Sequence, residues 1–167
     1  MNNTIEIQDF AQYLTENFCH VGEPLTNKKL QKILYYIDAW HLVYFDSQLF
    51  NQIPEAWVHG RVYPTVYKRY KKYQAKPIWI DESYPQKKTD ELFNSFGFTD
   101  EKKTFLSSVI RFYSNRSALE LEILTHRELP WLEAREGLSD YDLSSNPISI
   151  ETMKNYYTSL KNKQEKK

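Results

Sequence analysis

Asp38 and His41 stand three residues apart in LQKILYYIDAWHLVYF, residues 30–45. On a helix that spacing brings a carboxylate within reach of an imidazole, the arrangement an acid–base dyad needs. A buried histidine held by its neighbour produces the same letters, because buried polar groups need partners whether or not they catalyse. Cys19 and His20 are the second candidate pair. Adjacent helical residues diverge by about 100°, and no activating partner for a thiolate is evident, so a packed thiol beside a surface histidine is the simpler reading. His41, His59 and His126, with Asp38 or Glu55, supply metal-ligand atoms without the close spacing of a metal motif. Between Tyr63 and Tyr73, tyrosines alternate with Lys68, Arg69, Lys71 and Lys72, a mixture that could stack on bases and bind phosphates. A tyrosine stripe packed inward beneath a solvated basic face fits the same pattern. No P-loop, GxGxxG, HExxH or GxSxG pattern occurs, so the residues assemble no recognised active site, metal site or cofactor site.

Several helices must carry these residues. Ile7, Phe10, Ala11, Leu14 and Phe18 fall at the spacing of one helical face, which predicts a first helix over 6–19. Gly22 and Pro24 turn the chain. Thr26 supplies a capping oxygen for a second helix, with Leu25 and Leu30 placed as a hydrophobic staple. The helix that follows is apolar nearly all round, the mark of a central, buried element. Residues 55–63, EAWVHGRVY, read as a short strand or hairpin arm with Gly60 at its bend. Pro64 opens a third helix that presents Val66, Tyr67, Tyr70 and Tyr73 on one side. KPIWID, 76–81, is expected to pair with 56–62, and 82–90 to form a polar loop.

Thr99 caps a helix that buries Phe105, Leu106, Val109, Phe112 and Tyr113. Ser117 and Glu120 form a capping box for a helix that turns Leu119, Ile123 and His126 to one side and packs on its predecessor as a hairpin. Leu129-Pro130-Trp131 ends it, and a short helical turn over 133–136 stops at Gly137. A last helix from Ser149 to about Leu160 turns Ile150, Met153, Tyr157 and Leu160 inward, and 161–167 is a polar tail.

The expected fold is therefore mainly α with a small antiparallel β element (α+β): a single domain over 1–167, with its core at about 6–160 around a buried central helix. The chain has 167 residues, 41% of them hydrophobic and 26% charged, with formal net charge zero. That balance argues against disorder and against bulk binding of a polyanion. One cysteine excludes an internal disulfide and fits a reducing cytoplasm. The start MNNTIEIQDF has neither the basic nor the apolar segment of a signal peptide.

LTNKKLQKILYYIDAWHL, EAWVHGRVYPTVY, LTHRELPWLEAR and NPISIETMKNYY, in this order, resemble the Panacea (SocA-like) antitoxin domain, a family also described as phage-associated. The resemblance spans Leu25 to about Tyr157. Its signature positions are met by Leu30, Lys32, Tyr35, Tyr36, Trp40 and His41, then by Ala56, Trp57, Gly60, Val62, Pro64, Val66 and Tyr67. Thr125, His126, Glu128, Pro130 and Trp131 complete it. Arg61 departs from the pattern, standing where the family usually has proline. The resemblance implies a mainly helical domain that neutralises a cognate toxin, the product of a neighbouring gene, by direct protein binding. An alternative is an adaptor that delivers its partner to a host protease. The signature residues are expected to be structural. Contact with the partner is expected from Arg61, Tyr63, Lys68, Arg69 and Lys72, which flank the turn and are assigned to a polar face. No membrane is implied, and the chain leaves no room for a separate DNA-binding segment.

Overall fold

Every side chain from Leu30 to Ala39 is buried, and the helix that carries them, α2 (Asn27–Phe45), is the element on which the others pack. The computed structural model describes residues 3–167. Thr26 Oγ1 accepts the Lys29 amide at 3.2 Å and starts α2 where its capping chemistry predicts. At the other end Asp46 takes a left-handed conformation, φ 57°, and its carboxylate meets the Lys154 ammonium.

Around α2 lie α1 (Ile7–His20), α3 (Pro64–Tyr70), α5 (Asp100–Ser114), α6 (Ala118–Arg127), α8 (Ile150–Glu165) and a hairpin of β1 (Glu55–Trp57) and β2 (Gly60–Val62). Two shorter contributions sit further out: α4 (Gln86–Ser95) packs on α1, and α7 (Leu129–Ala134) joins α6 to α8. The architecture is mainly α with one small antiparallel sheet, as the sequence pattern indicates. Thr99, Ser117 and Ser149 each cap the helix assigned to them, and Ser117 and Glu120 close a reciprocal capping box. Among the described residues no helix is long and apolar enough to cross a membrane.

Several expectations are corrected. The 55–63 segment pairs with itself, Ala56 opposite Arg61 and Trp57 opposite Gly60, and not with 76–81. Pro77 has no amide hydrogen to give a ladder, so that segment makes one bridge, with Ile78 N donating to Leu25 O at 2.8 Å. Residues 86–90 are helical, not loop. Their Gln and Lys residues are good helix formers. Thr89 docks the helix by donating to the buried Glu16 at 3.0 Å, and Phe93 stacks on Tyr13 at 4.6 Å. Helix α8 runs to Glu165, so most of the assigned tail is helical.

Helices α5 and α6 pack on α2 and not as a hairpin on each other. Leu121 and Thr125 are the buried side of α6, while Leu119 and Ile123 are exposed; Phe112 of α5 is exposed as well. The short α7 begins at Leu129, earlier than the turn expected at 133–136.

Gly60 decides how closely the hairpin approaches this framework. Its φ of +126° is strained for any L side chain, and a Cβ would lie 3.2 Å from Thr125 Cγ2 and 3.4 Å from Lys32 Nζ. Gly60→Ala is expected to lower unfolding stability by about 1–3 kcal/mol, read from the urea midpoint.

Candidate functional site

Arg61 and Tyr63 were assigned to a polar face, and the structure buries both. Arg61 is 1% exposed and Tyr63 is fully enclosed. All three residues of β2 are covered, because the strand is wedged between α2 and α6. The Arg61 guanidinium lies 4.0 Å above the Tyr35 ring, a cation–π contact strengthened by the absence of water. Its Nη1 donates to Tyr36 OH and Thr125 Oγ1, each at 3.3 Å, and its Nη2 is 3.7 Å from a Glu128 carboxylate oxygen.

Glu128 in turn accepts hydrogen bonds from the hydroxyls of Tyr36 and Tyr157. Burial pushes the Tyr35 hydroxyl up to about 12 and holds Tyr36 and Tyr157 well above the ordinary phenol value, so all three remain phenols. Strand β2, helix α2, the α6–α7 junction and α8 are thus tied together by one buried ion pair inside a shell of tyrosines.

The signature residues converge around this cluster. Tyr36 stacks on Tyr113 at 4.0 Å, and Trp40 Nε1 donates to the Tyr113 hydroxyl at 2.7 Å. His126 stacks on Trp131 at 4.4 Å, and Trp131 Nε1 donates to the Trp57 carbonyl at 2.9 Å, which holds the hairpin against α7. Trp57 meets Tyr67 edge to face, and Lys32 Nζ donates to the His59 carbonyl at 3.2 Å. Leu30 is buried in the core, and Pro64 sits in the first turn of α3. Glu128, Thr125, Tyr113 and Tyr157 complete the network yet were not singled out as site residues. The inward stripe of α8 is the signal for Tyr157 and the buried face of α5 that for Tyr113, while Thr125 and Glu128 are signature positions whose letters do not show that they meet Arg61.

Asp38 and His41 do not form a dyad. Asp38 accepts the amides of Leu49 and Phe50 at 2.6 and 3.3 Å, with Gln48 Nε2 and Tyr63 OH each at 3.4 Å. The carboxylate therefore fastens the loop after α2. His41 Nδ1 donates to the Ser47 carbonyl at 2.6 Å, and Nε2 is buried without a partner. Cys19 and His20 diverge too: Sγ donates to Ile78 O at 3.0 Å, while His20 Nε2 meets Thr89 Oγ1 at 3.1 Å. His59 is exposed beside Glu122. Among the described residues no group of three or more His, Cys, Asp and Glu could hold a metal ion.

Lys68, Arg69 and Lys72 are exposed as expected. Arg69 is committed to α1, donating to Gln8 O at 3.0 Å and Gln12 Oε1 at 2.9 Å, and Lys72 lies over the Tyr73 ring. Tyr70 is buried and hydrogen-bonded to Thr15, so it offers no open platform for bases.

A concavity of about 530 Å³ lies between residues 3–9 and the α4–α5 turn, and two larger ones lie elsewhere. One, of about 780 Å³, is an aromatic groove between α2, α5 and α8, with Tyr44, Phe112, Leu124 and Tyr156 on its walls and Glu128 at its base. The other, of about 900 Å³, lies between α2, the hairpin and α3, and has a cationic lining.

Geometry of this kind defines a helical domain whose polar groups are spent on holding elements together and whose open surfaces are aromatic, apolar or cationic. One family model, Antitoxin SocA-like, Panacea domain, matches residues 30–132, and the chain belongs to this family. Membership points to an antitoxin-like role. No curated protein and no solved structure matches the chain.

Two outcomes test the buried polar groups. Glu128→Gln leaves the Arg61 charge uncompensated and is expected to cost about 3–5 kcal/mol in urea unfolding, with part of the loss recovered in Arg61→Met/Glu128→Gln. The second concerns pH. Burial pushes Asp38 from 3.8 up to about 6, so its contribution is present below its ordinary value and lost as pH rises through 6. Burial pushes His41 from 6.5 down to about 4, so its contribution is present above its ordinary value and lost as pH falls through 4. The two slopes oppose each other across this window. Asp38→Asn should therefore show stability that rises with pH between about 4.5 and 6.5, His41→Gln stability that falls, and the unaltered protein a flatter profile than either.

Proposed function

We propose that this protein is an antitoxin that neutralises a cognate toxin by forming a stoichiometric protein–protein complex, with residues 6–160 acting as one unit. Its family membership supports this reading. The observation that carries it at the level of surface is the outward apolar face of α6. Leu119 is 66% exposed and Ile123 42%, although their spacing is that of a core-facing stripe. Phe112 on α5 and Leu129 and Leu132 on α7 are exposed as well.

Leu119 and Ile123, one turn apart on the same side of α6, give the kind of adjoining apolar surface that a partner covers. Aromatic and aliphatic anchors of this kind carry most of the energy of a protein interface. Arg116, with its guanidinium 3.7 Å over the Phe112 ring, adds a cation at the edge. The partner surface that fits is an apolar patch rimmed by acceptors or carboxylates. Arg61 and Tyr63 take no part in it, being enclosed in the fold.

Co-expression with the product of each neighbouring gene tests the proposal. One of these products should arrest growth alone, be silenced by this protein and co-purify with it. Leu119→Asp/Ile123→Asp should abolish rescue and weaken binding by about 2–4 kcal/mol, while thermal stability stays within roughly 0.5 kcal/mol of the parent. Loss of rescue in Lys68→Glu/Lys72→Glu instead, with the α6 variant still active, would move the interface to α3. A partner whose half-life falls on co-expression would mark a proteolytic adaptor in place of a neutralising binder. If no neighbouring product is neutralised or co-purifies, the proposal fails.

A further inference from the structure

The cavity beside the hairpin has a composition that its structural neighbours do not explain. Lys28, Lys32, Arg61 and Lys71 all line it, and among the described residues no aspartate or glutamate does. Lys28 is engaged from outside by Glu122. Lys32 is not. It is 2% exposed, and its ammonium, which has three hydrogens to give, donates to one acceptor, the His59 carbonyl.

Arg61 lines the same cavity, but its guanidinium is taken up by Tyr35, Tyr36, Thr125 and Glu128. A buried cation short of partners, as Lys32 is, is costly, and the missing groups are acceptors, preferably charged ones. Burial, together with the neighbouring Lys28 and Arg61, pushes Lys32 down to about 8 against the opposing pull of Glu122, with which it makes no ion pair. An anion seated against it would reverse that pressure.

The rest of the lining favours a ring. Trp57 and Tyr67, 4.9 Å apart and edge to face, form an aromatic wall of the same cavity. At the rim Tyr141 and Leu143 are 88% and 92% exposed, large apolar side chains placed to cover an occupant. A volume of about 900 Å³ lies within the range of small-molecule sites.

We propose that this cavity binds a phosphorylated nucleoside, with its phosphate on Lys32, Lys28 and Lys71 and its base against Trp57 and Tyr67. Each part answers a feature of the cavity: the phosphate supplies acceptors to the buried Lys32, which has one, and the base lies against the aromatic wall of Trp57 and Tyr67. An acidic side chain from a protein partner could meet the lysines but would leave that wall empty. This site is separate from the apolar face of α6, so it stands or falls independently of the toxin-binding reading.

Isothermal calorimetry on the full chain, with AMP, adenosine and inorganic phosphate as separate probes, provides the test. AMP should bind saturably at neutral pH, and both adenosine and phosphate should be weaker by about tenfold or more, since each lacks half of the contacts. Lys32→Met, which keeps the length of a buried side chain without its charge, should weaken AMP by about tenfold or more. Lys71→Met, at a solvent-exposed position, should weaken it less, and Lys68→Met, outside the cavity, not at all. Affinity should fall as pH rises through about 8, where Lys32 loses its proton while Arg61 stays charged and Glu122 stays ionised. The proposal is overturned if AMP shows no saturable binding up to about 5 mM, if phosphate alone binds as tightly as AMP, or if Lys32→Met binds AMP like the parent protein.

Discussion

The ion pair between Arg61 and Glu128 is the contact on which the arrangement of this molecule depends. Arg61 does not reach water and Glu128 is nearly enclosed, so each charge must be answered inside the protein, and a buried pair is tolerated only where further hydrogen bonds share the load. Tyr35 offers its ring to the cation, while Tyr36 and Tyr157 offer their hydroxyls to the anion. Because these residues come from β2, α2, the α6–α7 junction and α8, satisfying one charge fixes four parts of the chain at once. Slippage of any of them would leave a charge unpaired, which makes the cluster a device for register as much as for stability.

A second polar hub works in the same way on a smaller scale. Asp38 gathers the loop after α2 by taking two backbone amides, while the Tyr63 hydroxyl connects that loop to the end of the hairpin. The hairpin is thereby held at both ends, by Asp38 through Tyr63 and by Trp131 through the Trp57 carbonyl. Asp38, His41 and the signature tyrosines Tyr35 and Tyr36 make contacts that hold elements together. What the fold offers outward is the uncovered face of α6, the aromatic groove and the cationic cavity behind Trp57, features suited to recognition.

The exposure of α6 follows from competition for space on α2. Helices α5 and α8 make the most extensive contacts with α2, and β2 also packs against it. Helix α6 meets this assembly through Leu121 and Thr125, the side that closes over Gly60 and Arg61. Its more apolar side is consequently turned away. An antitoxin-like domain has a use for such a surface, since a partner can cover it without disturbing the core.

The sequence by itself determined where α2, α3, α5, α6 and α8 begin, that α2 is central, and that the chain bends near Gly60. Thr26, Thr99, Ser117 with Glu120, and Ser149 cap through atoms within three residues of themselves, and Pro64 acts through its own ring, so these signals are complete in the local chain. Tertiary structure alone decided that Arg61 and Tyr63 are core, that Leu119 and Ile123 are surface, that 76–81 pairs with nothing beyond one bridge, and that Asp38 and His41 serve different loops. In each case the deciding partner is distant in sequence: Glu128 for Arg61, Asp38 for Tyr63, Leu25 for Ile78, the hairpin for α6. A charge reads as exposed until its counter-charge is found, and a stripe reads as buried until another face of the same helix takes the contact.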